Sequence, residues 1–362
     1  MIDYLIVGAG LYGSVFAREM KDAGKSVMVI DKRSHIGGNC YTENMYGINV
    51  HKYGPHIFHT SNKEVWDYMS KFTTFNHFSY RPKVKYQGKL YSFPINLMTI
   101  YQVFGFDTPF WANDILNRVK IPNENPQNLE EYMLSQVGEK LYNIFIKGYT
   151  TKQWGREPKE LPSSIIKRIP IRLTFDDNYY FDNYQGIPIG GYTQMFEKLL
   201  EGIEIRLNTN FFDNREYFGR IAKKIVYTGS IDEFFDYKFG KLDYRSLRFE
   251  TEVLDVKDFQ GNGGINYTDV DIPYTRIVEH KHFEFGDQPQ TIITKEYHAD
   301  TGEPYYPINI GDDVRIKSYV GFKERTPDVI FGGRLGEYKY LDMHQVVASA
   351  LEMSNKEKTL IT

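Results

Sequence analysis

The residues whose types and spacing most clearly specify chemistry lie in the first forty positions: Gly8, Gly10, Gly13, Asp31, Gly37 and Gly38. Gly-x-Gly-x-x-Gly after a short apolar run is the pattern of a turn that holds a pyrophosphate. Gly8 permits the tight turn, Gly10 lets the backbone approach phosphate, and Gly13 lets the following helix lie close to a sheet. A helix from about residue 10 to 23 would aim free N–H groups and partial positive charge at that phosphate. Asp31 ends the next apolar strand, where a carboxylate can accept from a ribose hydroxyl. The Gly37-Gly38 pair points to a flavin dinucleotide. A plain βαβ unit with tight turns is the simpler alternative, but it does not explain three glycines and an acid in one register.

Other reactive side chains are sparse or ambiguous. Three histidines fall within ten positions, at His51, His56 and His59. No acidic partner sits at ligand spacing, so a loop lying against a flavin ring is expected and no metal site is. Cys40 is the single cysteine, which rules out an internal disulfide and any multi-cysteine metal centre. It reads as a small apolar filler. Aromatic residues make up 16%, with 29 Tyr and 25 Phe, and many tyrosines fall in Gly/Pro-marked polar segments. A ring that is apolar on its face and polar at its tip suits a pocket for a sugar or a nucleobase.

The elements that must position these residues follow from pattern. The chain has 362 residues, enough for two or three domains. A net charge of -3 gives no polyanion signal, so no nucleic-acid partner is expected. No apolar run is long enough to span a bilayer, and the start reads as a strand, not a signal peptide; a cytoplasmic enzyme is expected. The pattern from about 95 to 160 is helical, with Asn128 as an N-cap before acids in a first turn and a helix continuing past Gly138. Residues 160–190 are rich in Pro and Gly and read as loop. Runs at 203–207 and 224–228 read as strands rejoining the first sheet, the second running into Thr228. Period-two alternation at 247–253 and 291–297 predicts an antiparallel sheet. A last strand at 329–334 and a closing helix from 342 to 353 are expected to complete the first unit.

Longer motifs then carry a resemblance. Ile36-Gly37-Gly38-Asn39, the stretch 51–60, Lys147 to Gly155, Ile169-Pro170-Ile171-Arg172, Tyr184 to Pro188, Pro273 to Lys281, Glu303 to Pro307 and Gly332 to Leu335 occur in order. With these motifs the chain resembles bacterial UDP-galactopyranose mutases almost end to end. The resemblance implies an α/β fold with a Rossmann-like FAD-binding domain, a helical insert domain and an antiparallel β-sheet domain. The expected boundaries are 1–80, 200–240 and 315–362 for the FAD domain and 95–160 for the helical one. The substrate sheet takes 80–95, 161–199 and 241–314. The implied reaction interconverts UDP-galactopyranose and UDP-galactofuranose with no net redox change. Reduced FAD is required: its N5 attacks the anomeric carbon, UDP leaves, the adduct opens and recloses through another hydroxyl, and UDP returns. Implied partners are UDP-galactose and an external reductant such as NAD(P)H or a reductase. A homodimer and a role in cell-wall or other polysaccharide synthesis are also implied.

Site roles follow from the same resemblance. Arg172 and Arg276 match the two arginines on the departing diphosphate, a task that suits a permanently charged bidentate group. Without the motifs they would read as a loop charge and a strand-surface charge. Arg172 lies in the Pro/Gly-rich segment, so a loop that closes over substrate is expected. Phe145 and Tyr149 match the uridine positions, four apart on one helix side. Tyr80, Thr150, Trp154, Tyr184, Tyr306 and Tyr340 match residues about the sugar and phosphates. His56 is expected against the flavin and His59 toward the sugar. Gly8, Gly10, Tyr12, Gly13, Asp31, Lys32, Gly38, Asn39, Ile57, Thr228, Arg334, Asp342 and Met343 are expected to hold the cofactor.

Two departures stand out. Tyr80 occupies a position where a small polar residue is expected beside the substrate, and Arg81 after it is also unexpected. The segment between Pro307 and Val329 matches poorly, with Gly311-Asp312-Asp313 in place of a helical stretch. Competing readings are an FAD oxidoreductase of the amine-oxidase type, a non-catalytic nucleotide-sugar sensor, and a variant mutase accepting UDP-N-acetylgalactosamine.

Overall fold

The apolar strand Ile2–Val7 forms the centre of a five-stranded sheet, because its side chains are covered on both faces. Strand order is Val329–Phe331, Ala222–Tyr227, Ile2–Val7, Val27–Ile30, Glu204–Arg206, and every pair is parallel. Parallel strands covered on both faces read as continuous apolar runs, and Leu5, Ile6, Val29 and Ile30 are fully buried. Each such side chain contributes roughly 1.5–3 kcal/mol through burial. The helix Leu11–Asp22 lays Val15, Phe16 and Met20 on one face of this sheet, where Val347 and Ala350 of the closing helix join them. The computed structural model describes residues 1–167, 169–308 and 313–360.

A second sheet has seven strands in the order Tyr306–Pro307, Tyr244–Leu254, Thr291–Ala299, Arg276–Glu279, Gly264–Tyr267, Lys83–Tyr86, Lys89–Ser92. Its pairs are antiparallel except one: Ile265 lies opposite Lys83 in parallel register. The register also sets Arg276 opposite Glu296 on one neighbour and Asn266 on the other. That alignment gathers a partly buried cation and its buried counter-charge.

Between these sheets in sequence come the helices Leu97–Phe104, Pro109–Val119, Leu129–Tyr142 and Gly148–Trp154. Asn128 caps the third, accepting from Glu131 N–H at 2.9 Å, as its sequence context predicts. The helix continues past Gly138 to Tyr142 as expected, but through a kink. Gly138 adopts φ 74°, and a Cβ there would stand 2.3 Å from the Val119 carbonyl oxygen. A single π-turn over Asn143–Lys147 then leads into Gly148–Trp154. Such turns occur often at functional sites, and this one carries Phe145.

Two further expectations need correction. The closing helix runs Met343–Thr359, longer than the expected 342–353, with Asp342 and Gln345 forming a capping box. The stretch before Val329 is helical over Val314–Glu324, capped by the Asp313 carboxylate accepting from Arg315 N–H at 2.8 Å. An acid read as a helix interruption is thus a helix start. Gly311 and Asp312 lie outside the described residues. Among the described residues no helix is long and apolar enough to cross a membrane.

Candidate active site

Two cavities adjoin one another, and the larger opens beyond the C-terminal ends of the parallel strands, where α/β sheets bind ligands. The larger, about 780 Å³, is lined from those strand ends by Val7, Gly8, Asp31 and Thr228, and by Gly10, Tyr12, Lys32, Gly38 and Asn39. The smaller, about 200 Å³, lies between the helical segment and the seven-stranded sheet. His56, Tyr305, Arg334 and Met343 line both cavities, so the two meet at these four residues.

The glycine turn fits a dinucleotide pyrophosphate. A Cβ on Gly13 would stand 2.1 Å from the Gly8 carbonyl oxygen, so that glycine serves packing. A Cβ on Gly10 would meet nothing nearer than Gly38 Cα at 3.8 Å. Protein packing therefore leaves room there, and the added carbon would take cavity space instead. Asp31 braces the turn by accepting from Ala9 N–H and Arg33 N–H, each at 2.8 Å. Each of its oxygens keeps a lone pair for a ribose hydroxyl. Lys32 and Arg33 converge on Glu303 at 2.5 and 2.7 Å, which ties the strand end to the loop before Tyr306. Cys40 also lines this cavity; burial pushes its thiol up to about 12, as suits a filler.

Gly13, Ile57 and Asp342 do not line the larger cavity. Gly13 lies under the turn, whereas Ile57 and Asp342 line the smaller one. The smaller cavity also gathers Tyr80, Phe145, Tyr149, Thr150, Trp154, Arg276, Tyr306, Tyr340 and His59. Helix Gly148–Trp154 is held against the sheet by two devices. A Cβ on Gly148 would stand 2.0 Å from the Thr268 carbonyl oxygen. The Lys152 ammonium donates to the carbonyls of Tyr267, Asp269, Ile272 and Tyr274 at 2.8–3.0 Å.

Arg276 is the centre of charge in this cavity. Its NH1 donates to Tyr80 Oη, and its NH2 donates to Tyr149 Oη, both at 3.3 Å, while Glu296 faces NH2 at 3.2 Å. Burial works against its charge, but Glu296, Tyr149 and Tyr80 together outweigh it and the group is held well above its ordinary value. Arg276 Nε, Trp154 Nε1 and Asn266 Oδ1 are buried without protein partners. Two donors and an acceptor are thus free to receive a ligand, and each unmet group carries a cost of roughly 1–3 kcal/mol.

The two histidines differ in support. His56 Nδ1 donates to the Gly54 carbonyl at 2.9 Å. Burial, aided by Arg334 and Arg276, pushes it down to about 4, so it is neutral with Nε2 as an acceptor. His59 Nδ1 lies 2.6 Å from Asp182 Oδ2, and Ser61 Oγ donates to the other carboxylate oxygen at 2.9 Å. Its ring stacks on Tyr180 at 3.6 Å. Burial lowers its pKa against the pull of Asp182, leaving a neutral imidazole with the proton on Nδ1. A carboxylate–imidazole pair of this kind orients Nε2 as a proton acceptor.

Two expected substrate residues are not brought to the cavity. The Arg172 guanidinium folds into its own loop, donating to the carbonyls of Asp176 and Asn178 and stacking over Phe181 at 4.2 Å. Asp176 at 3.4 Å is its counter-charge. Tyr184 pairs with Thr60 across a short antiparallel ladder, which turns its ring onto Trp66 at 5.2 Å. Tyr179 and Tyr180, from the same loop, line the cavity instead. Glu296, Asn266 and His298 also line it and were not singled out from sequence. The period-two strand 291–297 contained the signal for Glu296, an acid on the same face as Ile292 and Thr294, both of which are buried.

Fold and site together define a Rossmann-type dinucleotide-binding enzyme with a second, anion-seeking pocket at one end of the dinucleotide cavity. Comparison with known proteins narrows the class. A profile of the UDP-galactopyranose mutase family matches residues 144–340, and one of NAD(P)-binding Rossmann-like domains matches 6–72. A dTDP-fucopyranose mutase of Escherichia coli is 40% identical over 96% of each chain. A probable UDP-galactopyranose mutase of Klebsiella pneumoniae is 41% identical over 97% of this chain and 94% of that one. The crystal structure of a reduced UDP-galactopyranose mutase shares the fold with a TM-score of 0.78 at 14% identity, over 99% of this chain and 94% of that one. The chain belongs to the UDP-galactopyranose mutase family, whose members are isomerases.

Proposed function

We propose that this protein interconverts UDP-galactopyranose and UDP-galactofuranose on reduced FAD, with no net redox change. The observation that supports it best is the junction of the two cavities at His56, Tyr305, Arg334 and Met343, with partly buried Arg276 in the second. Reduced FAD supplies the nucleophilic nitrogen and the electron pair that the sugar's anomeric carbon accepts. The chain's residues do the rest. Phe145 and Tyr149 take the uracil, and Arg276 receives the charge that develops on the departing diphosphate. Trp154 Nε1 and Arg276 Nε are free to donate to phosphate or sugar oxygens. His59, fixed by Asp182, accepts and returns the hydroxyl proton that moves when the ring opens and recloses. Arg172 joins the diphosphate when its loop closes and Asp176 is exchanged for phosphate.

The second reading is the same reaction on dTDP-fucopyranose. The Escherichia coli relative favours it, being as similar as the UDP-galactose relative. Tyr80 also favours it: a buried ring that shares an apolar cluster with Ile57 and lines the cavity suits a sugar methyl group. Incubation of the dithionite-reduced protein with UDP-galactofuranose and, separately, with dTDP-fucofuranose decides between them. Conversion of neither would refute both.

A further inference from the structure

Two buried histidines outside the roles given above tie the cavities to one another. His51 ends the strand Ile48–His51, and His280 directly follows Arg276–Glu279; each is 1% exposed. Neither lines a cavity. The His56 N–H donates to His51 Nδ1 at 3.1 Å, and the His51 N–H donates to His280 Nδ1 at 3.2 Å. A ring nitrogen that accepts carries no proton, so each neutral ring bears its hydrogen on Nε2. His280 Nε2 donates to Thr294 Oγ1 at 2.7 Å, which anchors the pair in the seven-stranded sheet. Burial holds both rings neutral, pushing His280 down to about 3 and His51 well below the imidazole range.

We propose that His51 and His280 are positioning residues that set the distance between the cofactor-facing loop at His56 and the diphosphate-binding strand at Arg276. The contacts run from His56 through His51 to His280, and His280 directly follows the strand that carries Arg276. A sugar bound between cofactor and diphosphate must be held to a fraction of an ångström at both ends. His51 Nε2 has no protein partner. An apolar residue there would spare that cost but leave the His56 N–H unmet, so what the ring supplies is the acceptor on Nδ1.

The inference rests on the mutase reading, and the test separates the two. His51→Leu removes the acceptor, whereas His51→Asn places an amide oxygen near the Nδ1 position. FAD content, the visible flavin spectrum, and kcat and KM for UDP-galactofuranose under dithionite are measured for both variants and the parent. A parent that binds FAD but converts nothing refutes the mutase reading and leaves the spectra to decide the inference. The leucine variant is expected to retain FAD, shift the flavin band and lose about a hundredfold in kcat with KM nearly constant. The asparagine variant is expected to restore the spectrum and bring kcat within about threefold of the parent. A leucine variant with parental spectrum and kcat would overturn the proposal. So would an asparagine variant that folds with FAD but is as slow as leucine. If the leucine variant does not fold, the asparagine result alone decides: parental behaviour supports the proposal, and a shifted band with about a tenfold loss in kcat overturns it.

Discussion

Arg276 shows how little a single residue reveals until its neighbours are placed. In sequence it reads as a charge on a strand surface. In the fold it is paired across the ladder with Glu296 and held by two tyrosine hydroxyls, with Nε unmet. Arg276→Ala should cost about a hundredfold to a thousandfold in kcat while FAD stays bound, as expected for a group that stabilises leaving-group charge. Steady-state turnover and flavin absorbance check it together, and near-normal turnover would remove Arg276 from the reaction. Asp182 was not visible in sequence, because its role depends on a partner 123 positions away. Asp182→Asn should lower kcat by at least about a hundredfold through loss of the correct His59 tautomer. An unchanged pH–rate profile in that variant would show that the pair carries no proton. Tyr184 was misplaced for a related reason. A tyrosine-rich loop does not say which ring faces inward, and that choice was made by strand pairing with Thr60.

Among the elements, the glycine turn was the most legible, since its pattern reflects backbone geometry that few other residues permit. Even so, its three glycines do different jobs. Gly10→Ala should leave the fold intact and abolish FAD retention, because the new carbon enters the cavity. Gly13→Ala should instead destabilise the protein by at least about 2 kcal/mol, because the carbon meets a backbone oxygen. Denaturant midpoints and flavin content of the purified variants separate these outcomes. Equal behaviour of the two variants would refute the assignment. The strands at 203–207 and 224–228 and the Asn128 cap were also readable, because each carries a local signal. The helix Val314–Glu324 was not: it is nearly without amphipathic pattern, and only Tyr319 is buried along it. The π-turn at Asn143–Lys147 has no sequence signature at all.

In the whole molecule the dinucleotide cavity and the smaller pocket adjoin at His56, Tyr305, Arg334 and Met343, and neither alone specifies the reaction. The opening motif pointed to a cofactor and would by itself suggest ordinary redox chemistry. The pocket adds a partly buried cation and aromatic walls, which suit a nucleoside-diphosphate sugar. What the pocket lacks is Arg172, whose guanidinium is turned into its own loop, where NH1 donates to two carbonyls while Nε and NH2 are left without hydrogen-bond partners. If that loop closes over substrate, UDP should slow proteolysis within 172–183, and an Arg172→Ala variant should lose the protection. Cleavage at the same rate with and without UDP would exclude closure. The most direct test of the whole account is conversion of UDP-galactofuranose to UDP-galactopyranose by the purified protein, with and without dithionite. Turnover only after reduction, with no net consumption of reductant per product, is predicted. Turnover by the oxidised protein, or reductant consumed in step with product, would contradict it.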